Sequence, residues 1–475
     1  MTDCCVKENR SKTFDLAVVG AGSAGFSAAI TAAQQGAQVA LIGHGMIGGT
    51  CVNIGCVPSK TLIRAAETLH QTGAAARFAG IAAKAHVDDW QATIRQKDEL
   101  VGDLQQSKYA DLLPAYENIS YVEGRARIAD DGVAIDSQRI KAARVIIATG
   151  SRPALPSIPG IETIDYLTST SALSLEPLPK SLLVIGAGYI GAELAQMFAR
   201  IGVMVTLVCR SRLLPKAEPE ISEVLSGYLR AEGVQLRGGV SYKTVRQAVS
   251  GVSLLITSGG RDEVLTAERL LVATGRAPNV EGLGLAEAGI AQERNGGIRV
   301  DDRMRTTRIG VYAAGDVTGH DQFVYMAAYG AKLAAKNALD GGSLRYDNTG
   351  MPAVVFTDPQ VASVGLTEAC ARTAGYEVRA SALPLSAVPR ALAARDTRGL
   401  IKLVADGKTR KLLGAHIVAP EGSDSIQTAA LAIRQGLTID DLAEMIFPYL
   451  TTVEGLKLAA LAFEKDVAKL SCCAG

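Results

Sequence analysis

The sequence predicts an α/β chain: two copies of one strand–turn–helix–strand plan, followed by an α+β region. Three observations predict it. A GxGxxG pattern opens a helix at Gly20 and again at Gly186. Each copy closes on a similar phrase, VIIATGSRP at 145–153 and LLVATGRAP at 270–278. After Met351 the texture changes to an antiparallel hairpin and then helices. The 475 residues suggest about three domains of roughly 150 residues each. With 48% hydrophobic and 20% charged residues the chain has ample core. A formal charge of +1 gives no electrostatic case for nucleic acid or an anionic membrane. No apolar run reaches about 18 residues, so no bilayer span is expected.

In the first copy a buried strand runs to Val19 and meets Gly20-Ala21-Gly22-Ser23-Ala24-Gly25. An Ala-rich helix follows to about Gln35, and a second strand covers Gln38–Ile42. The glycines permit a tight turn and the close approach of a pyrophosphate to the helix N-terminus, whose amides and dipole favour an anion. Strand–turn–helix is the context that gives GxGxxG meaning as a dinucleotide site. Such a second strand ends in an acid that holds ribose hydroxyls. Here Gly43 and His44 stand in that place, and no Asp or Glu lies between Asp15 and Glu67. The adenosine end must therefore be held differently.

Gly48, Gly49 and Thr50 introduce Cys51 and Cys56, in the stretch GGTCVNIGCVPSK that ends at Lys60. The spacing lets the pair close a small disulfide ring or stay open as two thiols. Alone it also suits a structural bridge or half of a metal site. A helix is expected over Thr61–Leu69, and a longer polar helix with Trp90 over 85–110. Strands over 120–128 and 133–135 lead to the phrase containing Thr149 and Gly150.

The second copy, SLLVIGAGYIGAELAQMFARIGVMVTLVCRSR at 181–212, repeats the plan with Gly186, Gly188 and Gly191. Two units mean two dinucleotides. Its second strand also lacks a terminal acid, and Cys209 is followed by Arg210 and Arg212. Guanidinium groups there suit a 2′-phosphate and favour NADPH over NADH; the bland alternative is a solvated pair. A short strand in TTRIGVYAAGD, 306–316, ends at Gly315-Asp316, where an acid can bond a flavin's ribityl hydroxyl. The stretch GLIKLVADGKTRKLLGAHIVAP reads as a hairpin turning at Asp406-Gly407. A final helical region, FPYLTTVEGLKLAALAFEKDV, leads to the tail LSCCAG. Of the eight cysteines, Cys209 and Cys370 are expected as core thiols.

These features in this order resemble the pyridine nucleotide–disulfide oxidoreductases over residues 13–475. The resemblance implies two Rossmann-like domains and an α+β dimerisation domain. FAD would be bound by 13–154 and 278–350, NADPH by 155–277, and 351–475 would carry the homodimer contact, after a disordered segment 1–12. Electrons would pass from NADPH to FAD and then to the dithiol. By this resemblance Cys56 is the flavin-proximal thiolate and Cys51 the interchange thiol. Lys60 lies near the flavin and pairs with Glu193, Tyr189 shields the flavin face, and Asp316 meets the ribityl chain. Gly20, Gly22, Ser23, Ala24, Gly25, Gly49, Thr50, Thr149 and Gly150 belong to the flavin site. Gly186, Gly188, Ile190, Gly191, Arg210, Arg212 and Gly275 belong to the nicotinamide nucleotide's site.

Departures narrow the resemblance. Members acting on glutathione or dihydrolipoamide carry a C-terminal His-Pro, followed by a Glu, that protonates a departing thiolate. Here Phe447-Pro448-Tyr449 precedes Glu454, and the five histidines are at 44, 70, 86, 320 and 416. Dithiol exchange needs a base with a pKa near neutral, which a phenol of pKa about 10 does not supply. Tyr449, with Cys472-Cys473 at the end, points to members that reduce Hg(II), a soft ion that prefers two thiolates. The resemblance then implies that Cys472 and Cys473 of one subunit deliver the ion to Cys51 and Cys56 of the other. Tyr189 and Tyr449 would bound the pocket, and Hg(0) would leave. Many such members carry an N-terminal metallochaperone-like domain. Here only residues 1–12 precede the first strand, and Cys4-Cys5 reads equally as an auxiliary thiol site or as incidental. That start, MTDCCVKENRSK, lacks the apolar stretch of a signal peptide. The expectation is therefore a cytoplasmic chain with reduced thiols. Two alternatives stay open: an NADPH-dependent disulfide reductase, and a flavin-bearing protein that sequesters Hg(II) as a thiolate complex.

Overall fold

The computed structural model describes residues 13–136 and 138–469. Cys4, Cys5, Cys472 and Cys473 lie outside the described residues. The chain divides into two compact units. The first takes residues up to Pro58, Gln96–Ala154 and Arg276–Asp347; the second takes Ser59–Arg95, Leu155–Gly275 and residues from Asn348 onward.

In chain order the early elements are β1 (Phe14–Val19), α1 (Ser23–Gln34), β2 (Val39–Gly43), α2 (Gly49–Ile54), α3 (Cys56–Gly73) and α4 (Trp90–Gln105). They are followed by β3 (Ile119–Glu123), β4 (Ala126–Ala129), β5 (Gly132–Ile135) and β6 (Gln138–Ile147). The first unit is built on a sheet ordered β3-β2-β1-β6, with the strand Val311–Ala313 on the far side of β6. All of these pairs are parallel. In FDLAVV of β1 only Asp15 is exposed, which is the continuous apolar run of a strand covered on both faces. The strands β4 and β5 extend the sheet from β6 as an antiparallel meander. On one face α1 packs on the helix Val324–Leu339. Ala28, Ala29 and Ala32 of the one and Ala331, Ala334 and Ala335 of the other are fully buried; such small side chains shorten the distance between helix axes.

The second unit repeats the plan. Its parallel sheet centres on Ser181–Ile185, with Met204–Val208 and Gln235–Arg237 to one side and Arg269–Val272 and Leu167–Thr168 to the other. Val240–Ala248, Gly251–Ser258 and Arg261–Ala267 form its meander. A five-stranded antiparallel sheet follows, ordered Ala353–Val355, Gln360–Gly365, Leu412–Ala419, Leu400–Asp406, Val378–Pro384. The helices Gly422–Gln435 and Glu454–Leu461 cover it. The Asp406 carboxylate holds the hairpin turn by accepting from the Thr409 hydroxyl (2.6 Å) and amide (3.2 Å).

Five expectations about local structure need correction. The helix expected from Thr61 begins at Cys56. The helix expected over 85–110 starts at Trp90, where Asp89 accepts from the Ala92 amide as a cap, and is π-helical over Gln106–Ala110. The strand expected over 120–128 breaks at Gly124, which adopts φ 151° and donates its amide to the Gly43 carbonyl (2.7 Å). The final helix covers only Glu454–Leu461, because Leu450 is left-handed (φ 61°) and its amide turns to the Glu454 carboxylate (3.1 Å). Cys209 is buried as expected, but Cys370 is exposed: its six-residue helix, Glu368–Thr373, buries only Ala371.

Candidate active site

In the first unit two glycines set the β1–α1 turn. Gly20 adopts φ 118°, and a Cβ there would collide with the Ala148 carbonyl; a Cβ at Gly25 would collide with the Gly20 carbonyl. Gly22 caps α1 with no side chain over the helix end. This is a cradle that brings backbone close to an anion at a helix N-terminus. Ala24 is buried, and the Ser23 hydroxyl lies 3.3 Å from that of Tyr109.

The dithiol segment is seated on this cradle. The Gly48 amide donates to the Ala21 carbonyl (2.8 Å), and Gly22 and Gly48 form an isolated parallel bridge. Gly48 and Gly49 both take positive φ, 91° and 65°, which side chains resist. The Asn53 amide clamps the bend by donating to the Ile47 and Gly49 carbonyls, each 2.8 Å. Half-buried Thr50 and Cys51 lie on α2, Gly55 breaks the helix, and exposed Cys56 opens α3. Lys60 follows four residues later on the same helix.

Asp316 follows Gly315 (φ 79°) and accepts from the Ser151 hydroxyl (2.6 Å). Arg276 donates to that hydroxyl and to the Ser151 carbonyl, each 2.7 Å, and stands 3.7 Å from Asp316. Burial draws the Arg276 pKa down, while the charges of Asp316 and Cys56 oppose the fall. Sequence reasoning missed Arg276 and Ser151, although Arg276 sits inside the second closing phrase. The Thr149 hydroxyl is spent on the Asn279 carbonyl (2.6 Å), and the Gly150 carbonyl accepts the Asn279 amide (2.9 Å).

In the second unit Gly186 (φ 105°) leaves no room for a Cβ against the Ala273 carbonyl, nor Gly191 against the Gly186 carbonyl. Gly188 caps the helix Tyr189–Arg200 with no side chain over its end. Gly275 takes φ 116°. Ile190 packs on the core of this unit. Tyr189 bonds Ser363, and burial raises its pKa. The structure brings Lys60 and Glu193 together: the Lys60 ammonium is 2.7 Å from one carboxylate oxygen, and the other oxygen accepts the Phe356 amide at 2.8 Å. Glu193 is 5% exposed and Lys60 32%. Arg210 is exposed beyond the strand Met204–Val208, whereas Arg212 donates to the Ala217 (2.7 Å) and Pro215 (3.3 Å) carbonyls. Tyr449 is 48% exposed. Glu454 is buried and its carboxyl is raised by that burial.

Two glycine turns that each open onto a helix N-terminus, with a cysteine pair seated on the first, are the arrangement expected of a dithiol protein with two dinucleotide sites. Residues 14–335 match the family described as pyridine nucleotide-disulphide oxidoreductase, and residues 351–460 match that family's dimerisation domain. The chain belongs to the pyridine nucleotide-disulphide oxidoreductases and is an oxidoreductase. It is 48% identical to a mercuric reductase of Lysinibacillus sphaericus, over 97% of this chain and 85% of that protein. It is 47% identical to a mercuric reductase of Streptomyces lividans, over 97% and 98%. Its structure is similar to the HOCl-induced flavoprotein disulfide reductase RclA of Escherichia coli: TM-score 0.83, 31% identity, 94% of this chain and 99% of that one. Among the described residues, no helix is long and apolar enough to cross a membrane.

Proposed function

We propose that this chain reduces Hg(II) to elemental mercury with NADPH, through FAD in the first unit and the Cys51/Cys56 dithiol. The observation that carries the reading is the seating of the dithiol segment on the first cradle, in a chain 48% identical to a mercuric reductase. The balance is NADPH + Hg(II) → NADP⁺ + H⁺ + Hg(0). FAD, when bound, supplies the route by which the nicotinamide's electron pair reaches the dithiol end of the site. Cys51 and Cys56 hold the ion in the two-thiolate geometry it prefers. Cys56 opens α3, where the helix dipole favours a thiolate. Arg276 contributes positive charge that acts on Cys56, and it orients Asp316 through Ser151. Glu193 fixes the Lys60 ammonium, and Tyr189 and Tyr449 bound the metal pocket. Arg210 takes the 2′-phosphate of NADPH.

The remaining assignments belong to the same reading. Residues 13–154 and 278–350 serve FAD, 155–277 serve NADPH, and 351–475 make a homodimer. In it, Cys472 and Cys473 of one subunit hand Hg(II) to the other's dithiol, in the cytoplasm. The test is NADPH oxidation by the purified yellow protein, with Hg(II) in excess low-molecular-weight thiol against oxidised glutathione. Oxidation stimulated by Hg(II) and not by the disulfide is expected. A flavin-loaded protein that Hg(II) does not stimulate would refute the reading.

A further inference from the structure

The acid that ends the second strand of a dinucleotide-binding unit bonds the adenosine ribose. In the first unit that place is Gly43, and the fold shows what stands there instead. Gly43 is paired with Glu123 of β3, and Tyr121 lies two residues earlier on the same strand. A Cβ built on Gly43 would collide with the Tyr121 hydroxyl and would lie 2.9 Å from the Ala21 Cβ. Ala21 belongs to the glycine turn itself. The hydroxyl therefore lies between the end of β2 and the glycine turn, beside the place that a ribose takes when its pyrophosphate rests on α1. It has no hydrogen-bond partner among the described residues. Burial, with the nearby Glu123 charge, pushes the Tyr121 pKa up, so the group stays a neutral donor and acceptor. Beyond it His44 is exposed and accepts from the Arg125 guanidinium (3.0 Å).

We propose that Tyr121 bonds the adenosine ribose hydroxyls of FAD in this chain, doing from β3 what an acid at the end of β2 does elsewhere. The proposal rests on the FAD reading above. Gly43 is then a requirement: any side chain there would evict the phenol. Glycine at 43 and tyrosine at 121 form one exchange, a carboxylate on one strand replaced by a neutral hydroxyl reaching over from the next.

The test is competition. The holoenzyme is equilibrated with FAD and its analogue lacking both adenosine ribose hydroxyls, and the bound ratio is read by mass spectrometry of the extracted flavin. Wild type should prefer FAD by about 3- to 10-fold, the worth of a net hydrogen bond. Tyr121→Phe should bring the ratio to near unity while leaving the protein's melting temperature without added flavin unchanged. The combined Ala21→Gly, Gly43→Glu and Tyr121→Ala variant, which clears both side chains that a Cβ at 43 would meet, should restore the preference, and it guards against a Tyr121→Phe protein that does not fold. A Tyr121→Phe protein with the wild-type ratio would overturn the proposal. A wild-type protein that takes neither flavin would overturn the FAD reading with it.

Discussion

Lys402→Met should cost the second unit about 3–5 kcal/mol at neutral pH, the range for removing one partner of a buried ion pair. Lys402 stands 3.2 Å from Glu218, 2.9 Å from Glu220 and 2.8 Å from Glu368. The side chains of Lys402 and Glu218 are each 3% exposed, so water cannot replace the lost partner. Glu220 is 46% and Glu368 25% exposed, and screening limits each to about 1 kcal/mol or less. Among the described residues the Glu218 carboxylate keeps only the Glu368 amide (2.5 Å) as a close donor. His416, 3.9 Å away, gives its ring N–H to the Leu366 carbonyl, and burial keeps it neutral.

The pH dependence separates this account from a simple packing loss. The Glu368 carboxyl is held low by its Lys402 hydrogen bond, and that of Glu220 is held low by the same lysine against the opposing push of burial. Groups with depressed folded pKa values give stability that is present above their unfolded pKa and lost as pH falls through the folded one. Wild type should therefore weaken in acid, while the variant's deficit shrinks as its unpaired carboxylates gain protons. Urea unfolding at several pH values, read by fluorescence, isolates this unit, because the single tryptophan, Trp90, lies in it and donates to the Leu175 carbonyl (3.1 Å). A neutral-pH loss below about 1 kcal/mol, the scale of an exposed pair, would refute the reasoning, as would a deficit that grows in acid.

Two further predictions concern the active site. Glu193→Gln keeps an acceptor for the Phe356 amide but removes the charge opposite Lys60. About a tenfold fall in kcat with Hg(II), equivalent to ~1.4 kcal/mol, with KM for NADPH unchanged, is expected in steady-state kinetics. Adding Lys60→Met should lower kcat little further, since the pair acts as a unit. Arg210→Ala should raise KM for NADPH about tenfold, the loss of a charged hydrogen bond, and leave NADH unaffected. Arg212→Ala should instead cost about 1 kcal/mol of stability, measured by urea unfolding, with the coenzyme preference retained.

The nucleotide turns were legible in the sequence because their constraint is local and steric. At Gly20, Gly25, Gly186 and Gly191 the backbone meets a carbonyl where any Cβ would sit, so the residue type is dictated within a few positions. The start of α4 was less legible: the 85–110 stretch has a polar helical texture throughout, and only Asp89 as a cap marks where the helix begins. The ion-pair centre at Lys402 left no pattern at all. Its partner Glu218 is 184 residues away in sequence, and the two regions meet where the helix Pro219–Ala231 packs on the strand Leu412–Ala419, which pairs with the strand carrying Lys402. The two arginines show a third limit. Their place after a strand raised the expectation of a 2′-phosphate for both, but could not reveal that Arg212 donates to backbone carbonyls.

The cysteine pair shows how far residue type alone can carry the chemistry. Read as spacing, CxxxxC makes its two sulfurs equivalent. The fold makes them unequal, because the break at Gly55 leaves Cys51 half-buried on α2 and puts Cys56, exposed, at the first position of an eighteen-residue helix. A helix N-terminus favours an anion by about 0.3–1 kcal/mol, less than the 1.36 kcal/mol that shifts a titration by one unit. The dipole by itself therefore biases Cys56 toward thiolate without fixing it. Arg276, half-buried in this unit, is a second positive source, and its guanidinium feels the charge of Cys56. Arg276 is held in turn by Ser151, the residue that also fixes Asp316. One hydroxyl thus ties the cation whose charge acts on Cys56 to the acid proposed for the flavin's ribityl chain. A change at Ser151 must disturb both ends of the first unit's site together.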